Sequence, residues 1–112
     1  MPASEPGDPN GIVVLRLSSV GDIVLTEPVV AVLRETFPRS RIGFVVKERY
    51  GDLISAHPAI DRVHLLSGSA AADMRRLARE VRQAGYGAAV DLHCNFRTAG
   101  LLRASRIPLV TS

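Results

Sequence analysis

The chain has no tryptophan, a single cysteine and, beside thirteen arginines, a single lysine, Lys47. Aromatic residues make up only 4% of it, so its core must be assembled from aliphatic side chains and alanine. One cysteine, Cys94, excludes an internal disulfide and fits a reducing, cytoplasmic setting. A small side chain facing the core is the expectation for it, ahead of a reactive thiol. No apolar run approaches the roughly 20 residues needed to cross a bilayer. The opening MPASEPGDPNG has prolines and acids where a secretory signal needs a basic start and an apolar centre. Residues 1–11 are therefore expected to form a disordered tail.

What is present is enough for one domain. The 112 residues are 46% hydrophobic, a length and composition that support a single core and not two. The formal net charge is +3. Arg75, Arg79 and Arg82 recur at helical spacing beside Arg76, which predicts a solvated helix face with Arg76 and Glu80 paired at i,i+4. Attraction to an anionic substrate or membrane surface is the sharper alternative. Nucleic acid is not expected as a partner, because no aromatic platform or binding motif accompanies the charge.

The pattern along the chain alternates. Ile12 to Leu17 is an apolar run suited to a strand buried on both faces of a parallel sheet. After the polar break Ser18-Ser19-Val20-Gly21-Asp22 comes a helical stripe of Ile23, Val24, Leu25, Val29, Val30, Val32, Leu33 and Phe37. Pro28 inside it predicts a short first turn and then a restarted helix. Arg41–Lys47 and Arg62–Leu66 read as strands, separated by a short helix over Tyr50–Ala56. Asp73–Ala84 reads as a helix with Met74, Leu77, Ala78 and Val81 inward, stopped by Gly85. Gly87–Leu92 is a fourth strand, Asn95 caps a helix from Phe96, and Ile107–Val110 starts a fifth strand. The fold class is α/β: a Rossmann-like, mainly parallel sheet with helices on both faces.

In such sheets ligands bind beyond the carboxyl ends of the strands, where the strand order reverses. Two polar clusters fall there: Ser18 to Asp22 after the first strand, and Asp91 to Thr98 after the fourth. The first has one glycine where a dinucleotide fingerprint needs three, and it lacks the Gly-Lys-Ser/Thr ending of a phosphate loop. Ser19-x-x-Asp22 matches the spacing of a capping box, which is compatible with a chemical role for Asp22. Gly21 lets the backbone approach a ligand. In the second cluster Asn95 fits a cap, and the planar fork of Arg97 suits phosphate or carboxylate oxygens. His57, His64 and His93 share no metal-ligand spacing with one another or with Cys94.

With these residues in view, VVLRLSSVGDIVLTEPVVAVLRETFP resembles the start of the ADP-heptose:lipopolysaccharide heptosyltransferases, glycosyltransferase family 9. FVVKERYGDLISAHPAIDRVHLL and GYGAAVDLHCNFRTAGLL resemble later segments of that family, in the same order, so the likeness runs from Ile12 to about Arg106. Cys94 stands where glycine is common in the family. The resemblance implies the N-terminal, acceptor-side half of a GT-B fold over residues 12–112, with the C-terminal donor domain absent. It implies an inverting reaction that needs no metal and no cofactor, with Asp22 as general base and Ser18, Ser19 and Gly21 shaping the loop beside the sugar. His93, Asn95 and Arg97 become candidates for acceptor contacts. The implied partners are ADP-heptose or a similar donor and a lipopolysaccharide core acceptor, met at the cytoplasmic face of the inner membrane. The fragment alone is expected to be inactive. The competing reading is a non-catalytic α/β binding module; a response-regulator-like switch is disfavoured, since the third strand ends in leucines.

Overall fold

The computed structural model describes residues 10–111; the expected N-terminal tail lies, apart from Asn10 and Gly11, outside the described residues. Five strands form one parallel sheet in the order β3-β2-β1-β4-β5. They are β1 (Gly11–Leu15), β2 (Arg41–Lys47), β3 (Arg62–Leu66), β4 (Ala88–Asp91) and β5 (Leu109–Thr111). Five α-helices connect them: α1 (Val20–Val24), α2 (Glu27–Thr36), α3 (Gly51–Ser55), α4 (Ala71–Ala84) and α5 (Phe96–Ser105), with a turn of 3₁₀ helix at Glu48–Tyr50. The α/β, Rossmann-like class read from the sequence is what the chain adopts.

β1 is the central strand, and every residue in it is buried. Its neighbours are β2 on one side and β4 on the other, with Leu15 level with both Val45 and Asp91. Two aliphatic layers sandwich the sheet. One joins Val13, Leu15, Leu17 and Val45 to Leu77, Val81, Leu101 and Leu102 of α4 and α5. The other joins Val14, Phe44 and Val46 to Ile23, Val30 and Ile54. Each buried Val, Leu or Ile side chain stabilises the fold by about 1.5–3 kcal/mol relative to exposure.

Pro28 does restart the helix, standing in the first turn of α2, where a missing N–H costs nothing. The apolar stripe is narrower than the sequence predicts, however. Ile23 and Val30 are buried, whereas Val24, Leu25 and Val32 are exposed. The cause is the break between Val24 and Glu27, which puts α1 and α2 in different helical phase. Gly85 ends α4 in the left-handed region at φ 74°, as a C-terminal glycine should. The expected Arg76–Glu80 pair does not form. Arg76 turns to Asp73 at 3.3 Å, and Glu80 is drawn to His64 of β3.

That histidine, level with Val45 of the neighbouring β2, heads a buried polar network. His64 is fully buried between the Glu80 carboxylate at Nδ1 and the Tyr86 hydroxyl, 2.7 Å from Nε2. Burial pushes the His64 imidazole below its ordinary 6.5, although Glu80 pulls the other way. Burial also raises the Tyr86 phenol, so it stays protonated. A neutral ring that donates from Nδ1 to Glu80 and accepts at Nε2 from Tyr86 satisfies all three groups. Tyr86 needs room, and Gly43 provides it: a Cβ at position 43 would lie 2.0 Å from the Tyr86 oxygen.

Gly43→Ala is therefore expected to displace Tyr86 and lower stability by about 1–3 kcal/mol, measured by urea unfolding. A change within 0.3 kcal/mol, roughly the error of such fits, would show that the tyrosine is not held there. His64 also sets a pH dependence. Its folded value lies below the unfolded one, so the unfolded chain binds the proton first as pH falls. The contribution of His64 is complete above about pH 6.5 and declines as the pH drops toward the folded value. The His64 ring resonances in an NMR titration should thus report a midpoint below 6.5; a midpoint above it contradicts the assignment.

Candidate active site

The chain leaves β1 toward α1 on one face of the sheet, while α5 leaves β4 on the other. Between these adjacent strands lies the crevice where ligands bind in open parallel sheets. Arg16 and Leu17 extend β1 beyond its last ladder residue: Arg16 N–H donates to Val45 O at 3.1 Å, and Lys47 N–H to Leu17 O at 3.1 Å. Leu92 N–H bonds Leu15 O at 3.0 Å from the other side. The polar loop thus departs from a backbone fixed on both flanks.

Asp22 emerges on α1, exposed at the mouth of this edge. Its Oδ2 lies 2.8 Å from Arg16 Nη2 and 3.1 Å from Ser19 Oγ. Hydrogen bonding from Arg16, then from Ser19, holds the Asp22 carboxyl below the usual carboxylate range, so it is ionised at neutral pH. Ser19 does occupy the cap position of α1, yet its side chain makes no cap bond. The hydroxyl donates to Asp22 instead, because the carboxylate fixed by Arg16 is the stronger acceptor. Gly21 is exposed beside Asp22, with nothing within 4 Å of where a Cβ would stand. Ser18 is half-buried in the same loop.

Arg16 is the residue that sequence reasoning passed over. One charged residue in an apolar run reads as a strand residue turned to solvent. Here its other guanidinium nitrogen, Nη1, donates to Leu92 O at 2.7 Å, so a single side chain ties α1 to the end of β4. The signal available was its place in the strand-to-loop segment, six residues before an acid.

The second cluster divides in function. Asp91 is buried, and its Oδ1 accepts from the backbone N–H of His93 at 3.0 Å and of Cys94 at 2.9 Å, which folds the turn. Asn95 caps α5 as expected: Oδ1 accepts from Arg97 N and Thr98 N, both at 3.0 Å. His93 is half-buried, and burial and then the Arg16 charge lower its ring from the ordinary 6.5, so it is neutral at pH 7. Its Nδ1 is buried without a protein partner. Arg97 reaches the other way, with Nη2 3.5 Å from Gly68 O. With Lys47, Arg49, Ser67 and Ser69 it lines a shallow depression of about 280 Å³. The structure therefore gathers Ser18, Ser19, Gly21 and Asp22 around Arg16 and brings His93 next to that group, while Arg97 serves an adjoining cationic hollow.

A larger depression, of about 870 Å³, lies on the far side of the second cluster. It lies between α5 and the edge strand β5, is lined by Phe96, Leu102, Ile107 and Val110 together with Asp91, Cys94 and Asn95 of the second cluster, and does not include Asp22. Its wall is chiefly apolar, and the Asp91 carboxylate on it is already engaged by backbone N–H groups. Among the described residues no set of three His, Cys, Asp or Glu is placed to hold a metal ion. No described helix is long and apolar enough to cross a membrane.

Cys94 is not a core residue. It is exposed, and its backbone stands at φ 53°, the left-handed region that favours glycine. The turn built by Asp91 forces this conformation, and Cys94 Sγ lies 3.0 Å from Asp91 O. That explains why glycine is the residue expected here from the family pattern. Cys94→Gly should be neutral or slightly stabilising, whereas Cys94→Val should cost about 1–2 kcal/mol in thermal or urea unfolding. Equal stability of the two variants would contradict the strained turn.

No protein-family model matches the sequence, and neither does any curated protein. Solved structures do match. A glycosyl transferase of family 9 from Veillonella parvula superposes with a TM-score of 0.84 at 29% identity, over 90% of this chain and 31% of that one. E. coli ADP-heptose lps heptosyltransferase II gives 0.77 at 22% identity, over 89% of this chain and 29% of its own. E. coli heptosyltransferase WaaC with ADP-2-deoxy-2-fluoro heptose gives 0.74 at 21%, over 88% and 35%. The chain spans about a third of the length of these proteins. Its fold is the Rossmann-like α/β fold of one part of the GT-B glycosyltransferases of family 9, the family that its sequence resembles.

Proposed function

We propose that this chain is the acceptor-side part of an inverting glycosyltransferase, with Asp22 as the general base. The observation that carries this reading is an ionised carboxylate, exposed at the carboxyl edge of β1 where the strand order reverses. A proton acceptor must be ionised before it acts and must reach the hydroxyl it deprotonates. Asp22 meets the first condition through Arg16 and Ser19, and the second through its exposure at the crevice mouth. The likeness to a family 9 glycosyl transferase at 29% identity supports the general kind of enzyme.

In the proposed reaction an acceptor hydroxyl attacks the anomeric carbon of a nucleotide sugar from the face opposite the leaving group. The new carbon–oxygen bond forms as the bond to the nucleotide phosphate breaks, and the nucleotide leaves with that electron pair. Asp22 takes the hydroxyl proton, and the configuration at the carbon inverts. General-base assistance of this kind contributes about 10²–10⁴-fold. Ser18, Ser19 and Gly21 form the loop beside the reacting sugar. His93, the Asn95 amide and Arg97 offer contacts to an acceptor bearing phosphate or carboxylate groups, for which the guanidinium fork is suited.

ADP-heptose is the donor this reading favours, and a lipopolysaccharide core sugar the acceptor; two of the similar structures are named for that chemistry. Meeting a lipid-borne acceptor places the work at the cytoplasmic face of the inner membrane.

Asp22→Asn in the full-length protein tests the assignment. The amide retains an oxygen for Arg16 and Ser19 but cannot take the proton. The turnover number should fall by at least about 10²-fold while the fold, followed by circular dichroism, is kept. An unchanged turnover number would return Asp22 to a structural role.

A further inference from the structure

Arg16 holds Asp22 in a way that most surface arginines do not. An exposed ion pair ordinarily forms between two mobile side chains and contributes little. The Arg16 side chain is only 23% exposed, and its Nε is buried without a protein partner. Its backbone is stitched to β2, through Val45 O, and its Nη1 is bonded to Leu92 O at the end of β4. One end of the guanidinium is thus anchored to the sheet while the other grips the acid. Asp22, by contrast, rides on the five-residue α1, which has little rigidity of its own.

The two side-chain contacts are also one-sided, while the Ser19 backbone N–H adds a further hydrogen bond to the carboxylate. The bonds from Arg16 Nη2 and Ser19 Oγ both fall on Oδ2, and Oδ1 takes neither. We propose that Arg16 is a positioning residue for Asp22, its fork fastening Oδ2 to the end of β4 so that Oδ1 is presented to the acceptor hydroxyl. This rests on the reading of Asp22 as the base. A lysine could not do the same, because a single ammonium lacks the planar fork that spans Leu92 O and the carboxylate. The other charged groups at this edge address different partners. Lys47 of β2 and Arg97 of α5 act, with Asp91 of β4, on His93, which Arg16 also influences. The Asp91 carboxylate is taken by the backbone N–H groups of residues 93 and 94. Arg16 is therefore the cation whose removal would change the charge balance at Asp22.

The test has a readout that needs no turnover. Carbon-13 NMR of the Asp22 carboxyl in the parent chain, Arg16→Lys and Arg16→Met follows the titration directly. The parent midpoint should be lowest, the Met variant highest, and Lys between them; three equal midpoints would overturn the proposal. In the full-length protein with ADP-heptose as donor, Arg16→Met should lower kcat by about 10–100-fold with KM changed less than threefold, the range expected for a misplaced catalytic group. Its acid limb should move to higher pH, and Arg16→Lys should bring the limb part of the way back without restoring the full rate. A parent-like kcat for Arg16→Met, where Asp22→Asn is inactive, would contradict positioning while leaving the base intact. If Asp22→Asn kept its rate, the base itself would fail, and the carboxyl titration would still decide whether Arg16 governs the acid.

Discussion

The burial of β1 between two other parallel strands governs the rest of the molecule. A strand with both faces covered cannot turn polar groups sideways, so the hydrophilic residues that follow it must appear beyond its carboxyl end. Because β2 lies on one side and β4 on the other, the connections after β1 and β4 run over opposite faces. The edge between them is left open, and there Asp22, Ser19 and the turn before α5 meet. The position of the candidate base is thus a consequence of topology before it is one of local sequence.

Arg16 converts that placement into an orientation. It lies where β1 gives way to loop, half withdrawn from water, and bridges Leu92 O and the Asp22 carboxylate. The same ion pair keeps the acid charged and reduces its basicity, so the arrangement favours availability over intrinsic proton affinity. A desolvated acceptor hydroxyl and a leaving nucleotide would have to supply the remaining driving force. Around this pair the edge is cationic, with Lys47 and Arg97 beside a neutral His93, a field suited to an acceptor carrying negative charge.

Much of this was legible in the residues. Arg41–Lys47 and Arg62–Leu66 occupy the strands their patterns predicted, since short runs of apolar and branched residues bounded by turn signals admit few other structures. Pro28 and Asn95 placed two helix starts because their effects are confined to one turn of backbone. What pattern could not supply was any contact made across the sheet. Glu80 is four residues from Arg76 on its own helix, yet its partner is His64, brought within reach by the packing of α4 on the sheet. The exposure of Val24 and Leu25 depended on how far the helix axis shifts at Thr26, and that shift is decided by packing. Cys94 looked like a small core residue in a list of residue types; its exposure comes from a turn that Asp91 organises. Arg16 and Asp22 were both in plain view, but their pairing requires knowing that the loop folds back over the strand end.

A structure of the full-length protein with acceptor and an unreactive donor analogue measures the central claim most directly. The attacking hydroxyl should lie within about 2.6–3.2 Å of an Asp22 carboxylate oxygen, or one water away. An acceptor seated with that hydroxyl against another acid, and Asp22 facing solvent, would contradict the account.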